Sequence, residues 1–277
     1  MSRGTRIPEE EHVVGRRLAR AALAGVTALA MAGLAGCGTD EAGSAPSGSA
    51  SGVTGKVTVF AAASLTESFT TIGRDFEAAN PGTTVTFNFA GSSALANQID
   101  QGAPADVFAS AAPKNMQSVV DAGDADGSPT TFVRNQLVIA VAKGNPKGVR
   151  ALADLTRPGL KVALCAEQVP CGAAATKALA AARVTLTPVT LEQDVKGALS
   201  KVKLGEVDAA LVYRTDARAA VADVDGVEFP ESAEAINDYP IVVLNNAPNR
   251  TAARAFVAYV RSDQGTSVLT AAGFQAP

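Results

Sequence analysis

The chain has 277 residues, of which 47% are hydrophobic and 18% charged, and its formal net charge is −3. The apolar fraction can supply the core of one large or two small globular domains, which excludes a disordered chain. The acidic balance argues against nucleic-acid binding, which requires a basic surface. Three cysteines are too few for a scaffold held together mainly by disulfides.

The first 36 residues have the pattern of an export signal. Arg16 and Arg17 precede an uncharged apolar run, residues 21–36, which is shorter than the ~20 residues that a membrane-spanning helix needs. The run ends in Leu-Ala-Gly before Cys37, like the cleavage site of bacterial lipoproteins. We therefore expect residues 1–36 to be removed and Cys37 to carry a lipid that anchors the protein outside the cytoplasm at the cell membrane. A plain secretory signal cleaved nearby is the alternative.

Removal of residues 1–36 takes away five arginines and three glutamates and leaves a formal charge of −5. It also removes His12, the single histidine of the chain. Without an imidazole, neither a Ser-His-Asp nor a Cys-His catalytic unit can form, and a histidine-ligated zinc site is excluded. The sequence has no P-loop and no GxGxxG motif, so we expect neither a cofactor nor an enzyme. Residues 37–55, rich in Gly, Ser and Ala, predict a flexible tether.

From Lys56 onward, short apolar strands alternate with helical segments. The predicted strands are residues 57–61, 84–89, 106–109, 136–142, 160–164, 208–212 and 240–244. The predicted helices are residues 64–79, one that starts at Ser92 or Ser93, 113–120, 172–182, one capped by Asp194 that runs through Val202, 215–221, 249–260 and 264–271. The first helix begins with the capping-box pattern Ser64-x-x-Glu67. This alternation predicts a mainly parallel α/β fold with helices on both faces, built as one sheet or as two lobes.

Four segments place the end of a strand against the start of a helix, namely FAAASL, AGSSAL, LCAEQVPCGA and LEQDVKGAL. Helix starts carry unpaired backbone N–H groups and the positive end of the helix dipole, so they attract anions. Ser64 and Ser92 add hydroxyl donors, and Tyr213 adds a phenol at the end of a strand. A serine at a helix start is more often a simple cap, and a tyrosine at a strand end is more often a half-buried surface ring. Each feature alone is therefore weak evidence of an anion site.

Taken in order, the stretches VTVFAAASLTESF, FAGSSALANQI, GAPADVFASA, VPCG, DVKGAL, LVYRTDA and the terminal GF resemble the molybdate-binding proteins of ABC transporters, the ModA family. The resemblance covers nearly the whole chain after the tether. It implies a monomer with a two-lobe periplasmic-binding-protein fold of type II, whose lobes are joined by two crossing strands. The first lobe would be residues 56–135 plus 242–277, and the second would be residues 136–241.

The resemblance also implies an oxyanion held by backbone N–H groups and neutral hydroxyls, without contact to a charged side chain. The implied molybdate-binding residues are Ser64, Ser92, Cys171, Val195 and Tyr213. Cys171 stands where the family often has Ala, which matters little if only the amide binds. Molybdate is fully deprotonated near neutral pH and needs only donors, and tungstate has nearly the same size and charge. Because the ligand would lie between the lobes, it would favour the closed form that an ABC permease receives.

Cys165 and Cys171 are six residues apart in a chain that we expect to be exported, so a disulfide between them is the preferred hypothesis. Two buried thiols are the alternative. Three other functions remain open for the whole chain. They are a sister carrier of sulfate or another tetrahedral oxyanion, an enzyme on the same fold, and an adhesive lipoprotein without a small ligand.

Overall fold

The computed structural model describes residues 52–277. The predicted signal, residues 1–36, lies outside the described residues, as do Cys37 and most of the predicted tether. In the described part, Gly55 already pairs with Thr83 in the first strand, so the folded region begins slightly before the predicted start at Lys56. No helix within this part of the chain is both long and apolar enough to cross a membrane.

The first sheet contains β1 (Gly55–Ala62), β2 (Thr83–Ala90), β3 (Val107–Ala109), β4 (Thr130–Asn135) and β10 (Asn237–Val243). The second contains β5 (Leu137–Ala142), β6 (Val162–Cys165), β7 (Thr190–Glu192), β8 (Ala209–Tyr213) and β9 (Val224–Val227). Their orders are β2-β1-β3-β10-β4 and β7-β6-β8-β5-β9. In each sheet the first three strands are parallel, the fourth is antiparallel to the third, and the fifth is antiparallel to the fourth. The two lobes thus share one plan, and the predicted two-lobe α/β fold is confirmed, although each sheet is mixed and not mainly parallel.

The chain passes between the sheets at two places. β4 ends at Asn135 in the first sheet and β5 begins at Leu137 in the second. After β9, a 3-10 turn (Pro230–Ala235) leads back to β10 in the first sheet. The predicted boundary at residue 241 falls inside β10, where Pro240 sits at a bulge opposite β4. Proline is tolerated at a bulge, so it does not mark the start of this strand.

Eight α-helices cover the two sheets in the described part of the chain. They are α1 (Thr66–Ala79), α2 (Ser92–Asp100), α3 (Pro113–Asp121), α4 (Pro170–Ala181), α5 (Val195–Lys203), α6 (Arg214–Ala219), α7 (Arg250–Val260) and α8 (Asp263–Ala272). On one face of the first sheet, Phe76 of α1 packs edge-on against Phe256 of α7, with ring centroids 5.4 Å apart. On the other face, α2 and α3 bury Leu95 and Met116. The core of the second lobe is mostly aliphatic.

The prediction that Ser64 caps the first long helix is wrong. Ala63–Leu65 form a 3-10 turn and α1 begins only at Thr66, without a side-chain cap. The Ser64 hydroxyl lies instead 2.8 Å from the hydroxyl of Tyr239. The Ser64 side chain therefore contacts the strand residue Tyr239 and caps neither the 3-10 turn nor α1.

The expected cap at Ser92 or Ser93 is also wrong. Gly91 occupies the N-cap position of α2, and the Ser92 Oγ accepts the backbone N–H of Ala111 at 2.9 Å. The cap predicted at Asp194 is confirmed, because its carboxylate accepts the N–H of Gly197 at 2.9 Å. Three strands were not predicted. β7 has only three residues, β9 contains Asp and Gly, and β4 carries polar residues at four of six positions.

Cys165, the last residue of β6, and Cys171, in the first turn of α4, are joined in the structure with their sulfurs 2.06 Å apart. The neighbouring Gly172 packs so closely on the loop that a Cβ there would overlap the carbonyl oxygen of Ala166. The turn from β6 to α4 is therefore restrained on both sides. This turn presents the amides at the start of α4.

We predict that replacing both Cys165 and Cys171 by alanine lowers the free energy of unfolding by about 2 kcal/mol, because a short covalent loop is removed from the unfolded chain. Urea unfolding of a chain that begins after Cys37 measures the change. Thiol titration of the same unreduced, denatured parent protein is the check on the bond itself. Two reactive thiols would contradict the bridge.

Candidate functional site

A small cavity of about 10 Å³, roughly room for one water molecule, lies between the two sheets. All five residues that the resemblance indicated, Ser64, Ser92, Cys171, Val195 and Tyr213, line it. The rest of its wall is formed mainly by small or apolar residues, namely Ala62, Ala63, Ala90, Gly91, Ala111, Val169, Pro170 and Asp194. Both lobes contribute, since the residues up to 111 end or follow strands of the first sheet and those from 169 to 213 end or follow strands of the second.

The wall is built from the starts of helices. Ser92 is the first residue of α2, Cys171 the second of α4, and Val195 the first of α5. The first N–H groups of a helix have no partner within that helix, and the helix dipole adds roughly half a positive charge there. Three helices of nine to twelve residues therefore direct donors toward one small space.

Both serines on the wall are buried, with 4% of Ser64 and 1% of Ser92 exposed. Each serine Oγ already has one hydrogen-bond partner within the protein. The Ser64 Oγ lies 2.8 Å from the Tyr239 hydroxyl, and the Ser92 Oγ accepts the Ala111 N–H at 2.9 Å. An oxygen that accepts from behind keeps its own O–H free to donate in another direction.

Tyr213 ends β8, and its hydroxyl is buried without a hydrogen-bond partner among residues 52–277. Its ring packs edge-on against Tyr239, with centroids 6.0 Å apart. Burial raises the pKa of the Tyr213 phenol well above its ordinary value, so the group stays protonated at neutral pH. A buried donor without a partner is costly, and a ligand in the cavity would relieve that cost.

No lysine or arginine of the described residues lines the cavity, and its single charged residue is Asp194. The Asp194 carboxylate is occupied with the N–H of Gly197 in its own helix. Residues 52–277 contain no group of three or more His, Cys, Asp or Glu side chains placed to hold a metal ion. The wall therefore offers chiefly neutral hydrogen donors.

A charged cluster beside the cavity joins the two lobes. The Nζ of Lys196, in α5, lies 2.8 Å from both carboxylate oxygens of Glu67 in α1 and 2.9 Å from the Oδ1 of Asp216 in α6. Burial raises the pKa of Asp216 to about 6, although Lys196 opposes the shift. Burial acts to lower the pKa of Lys196, but the two carboxylates outweigh it and the net direction is upward.

Sequence reasoning missed the Lys196 cluster, although each member stands close to a predicted site residue. Glu67 follows Ser64 by three positions, and Lys196 directly follows Val195. The sequence also gave no sign that Gly91 approaches the opposite lobe. A Cβ on Gly91 would overlap the carbonyl oxygen of Gln193, so the lobes meet backbone to backbone at this point.

The chain resembles known proteins along most of its length. The family model described as a bacterial extracellular solute-binding protein matches residues 57–275. The molybdate-binding protein ModA of Mycobacterium tuberculosis strain H37Rv is 47% identical over 252 residues, which cover 91% of this chain and 96% of the relative.

Two solved structures share the fold at 21% identity and cover 80% of this chain. The sulfate-binding protein SubI from Mycobacterium tuberculosis has a TM-score of 0.68 over 86% of its own chain. The periplasmic molybdate-binding protein of Azotobacter vinelandii has a TM-score of 0.66 over 99% of its own chain. The family match and the 47% identity together show that this chain belongs to the ModA family of bacterial extracellular solute-binding proteins, which are ligand carriers and not enzymes.

Proposed function

We propose that this protein captures molybdate outside the cytoplasm and delivers it to an ABC permease. The observation that carries the proposal is the hydroxyl of Tyr213, which is buried, has no hydrogen-bond partner among residues 52–277, and shares one cavity with the hydroxyls of Ser64 and Ser92. The amides at Cys171 and Val195 complete the donor set. Membership of the ModA family and the name of the Mycobacterium tuberculosis relative support molybdate as the ligand.

The chemistry of the wall suits an anion that only accepts hydrogen bonds. Molybdate carries no proton near neutral pH, so every oxygen can accept from an N–H or O–H group. An oxyanion that keeps a proton, such as hydrogen phosphate, also needs an acceptor, and the Asp194 carboxylate is turned toward its own helix. In a desolvated cavity, dipoles at short range outweigh the screened net charge of an acidic protein.

Capture involves both lobes, since Ser64 and Ser92 follow strands of the first sheet and Tyr213 ends a strand of the second. A ligand that contacts both sides stabilises the closed arrangement over an open one. The ion pair between Glu67 and Lys196 also spans the lobes and supports the same arrangement. The permease would then distinguish the closed, loaded protein from the open one.

The N-terminal residues complete the proposal. Residues 1–36 direct export, the lipid on Cys37 holds the protein at the cell membrane, and the Gly/Ser-rich tether lets a monomeric binding domain reach the permease. Mass spectrometry of the protein from a bacterial membrane fraction tests this part. A chain that begins at a residue other than Cys37, without a lipid, would contradict it.

Titration calorimetry with molybdate, tungstate and sulfate tests the ligand. We expect molybdate and tungstate to bind with similar Kd values, because the two anions have nearly the same size and charge. Sulfate is smaller and would leave the donors too far from its oxygens, so its binding should be weaker. Equal affinity for sulfate would favour the sister function of sulfate carrier, and no binding of any oxyanion would overturn the proposal.

Removal of single hydroxyls tests the site. We predict that Ser64→Ala, Ser92→Ala and Tyr213→Phe each weaken molybdate binding by about 1–3 kcal/mol, since each loses one hydrogen bond to a charged ligand. Ser118→Ala, on the exposed side of α3, and Tyr259→Phe, in α7, are matched controls and should bind like the parent. If the three site variants keep the parent affinity in calorimetry, the site is misplaced.

Gly91→Ala tests closure. The backbone of Gly91, at φ −60° and ψ 135°, suits alanine, so the lobe should fold normally. The new methyl group would meet the carbonyl of Gln193 and oppose the approach of the lobes. We expect the Kd for molybdate to rise about tenfold or more, while the Tm of the ligand-free protein changes little. An unchanged Kd would show that the contact is not needed for binding.

A further inference from the structure

A chain of buried hydrogen bonds stands behind Ser64, on the side away from the cavity. The Tyr239 hydroxyl lies 2.8 Å from the Ser64 Oγ, and the Asn135 Nδ2 donates to the same hydroxyl at 3.4 Å. Asn135 also donates to the Thr215 Oγ1 at 2.8 Å. Tyr239 and Asn135 are at most 1% exposed, and neither lines the cavity.

A backbone group fixes which atoms donate and which accept in this series of hydrogen bonds. The N–H of Gln136 points at the Asn135 side chain at 3.0 Å, and an N–H can only donate, so the atom it meets is the amide oxygen. The Asn135 NH₂ group therefore faces Tyr239 and can only donate to it. Among residues 52–277, the Tyr213 hydroxyl next to Tyr239 forms no hydrogen bond, so the Tyr239 O–H is left to donate to the Ser64 Oγ at 2.8 Å.

We infer that Tyr239, oriented by Asn135, is a positioning residue that fixes the Ser64 hydroxyl as a hydrogen donor toward the bound anion. Because Ser64 accepts from Tyr239, its own proton is left for the cavity. The inference rests on the proposed function, since it assigns the source of selectivity within that same site. Ser92 is fixed in the same sense by a different group, the backbone N–H of Ala111.

The consequence is selectivity by protonation state. A hydroxyl that is free to rotate can donate to one ligand and accept from another. A hydroxyl that accepts from a buried donor has one of its two lone pairs occupied and its O–H left for the cavity, so it is poised to donate to a ligand more than to accept from one. The hydrogen bonds from Asn135 to Tyr239 and from Tyr239 to Ser64, here called the relay, therefore favour fully deprotonated oxyanions. They disfavour oxyanions that retain a proton, of which hydrogen arsenate is a tetrahedral example.

Tyr239→Phe removes the relay and keeps the ring that packs against Tyr213. We expect the affinity for molybdate in calorimetry at neutral pH to fall about tenfold, while the affinity for hydrogen arsenate stays equal or rises. The ratio of the two Kd values separates positioning from a structural effect, because a general loosening of the site would weaken both anions by the same factor. An equal loss for both anions would overturn the inference.

A double-mutant cycle on molybdate alone is the second test. If Tyr239 acts through Ser64, adding Tyr239→Phe to Ser64→Ala should change the Kd less than twofold beyond the single Ser64→Ala variant. Independent, multiplying losses would overturn the inference. Thr215→Val leaves the Asn135 donor to Tyr239 in place and serves as the buried-hydroxyl control, with the parent Kd ratio expected.

Thermal unfolding confirms that each variant is folded before its Kd is used. Should Tyr239→Phe fail to fold, Asn135→Ala removes the side-chain donor behind Tyr239 and is expected to shift the Kd ratio in the same direction; an unshifted ratio there would also overturn the inference. A parent protein that does not bind molybdate would refute the proposed function itself. A parent that binds molybdate, combined with an unchanged Tyr239→Phe variant, refutes the inference alone.

Discussion

The structure depends on one electrostatic constraint, which is that a small cavity between two lobes must attract a dianion without a lysine or arginine of the described chain on its wall. The attraction comes from the backbone amides and dipoles at the starts of α2, α4 and α5, which line the cavity, and from buried hydroxyls. Such donors act only at short range, so the proposed binding of the anion requires both lobes to close on it. The nearest cation, Lys196, is already engaged by two carboxylates.

The shared plan of the two sheets explains why the helix starts meet. In each sheet, three parallel strands direct their carboxyl ends, and the helices that follow them, toward the cleft. The chain enters each sheet from the other lobe through a strand antiparallel to these three, namely β10 in the first sheet and β5 in the second. Small residues then permit close approach, most plainly at Gly91, where a side chain would strike the opposite backbone.

Much of this arrangement could be predicted from local patterns and the family resemblance. Strand-to-helix junctions are local in sequence, and Ser92, Cys171 and Val195, which the resemblance indicated at such junctions, line one cavity. Their role in binding stays a prediction. The local pattern gave a wrong prediction at Ser64. A capping-box motif predicted a helix cap there, but the Ser64 hydroxyl contacts the Tyr239 hydroxyl instead. Tyr239 itself stands next to an apolar run that predicts only a buried strand. Its partner lies 175 positions away, and no local rule could find it.

The choice of neutral donors has a consequence for where the protein works. Outside the cytoplasm, acidity follows the surroundings, and a carrier built on histidine would lose or gain affinity with each change. Amides and hydroxyls do not titrate in that range, and the buried Tyr213 phenol keeps its proton because its pKa is raised. The affinity of the proposed site for an oxyanion would therefore change little with the pH outside the cell.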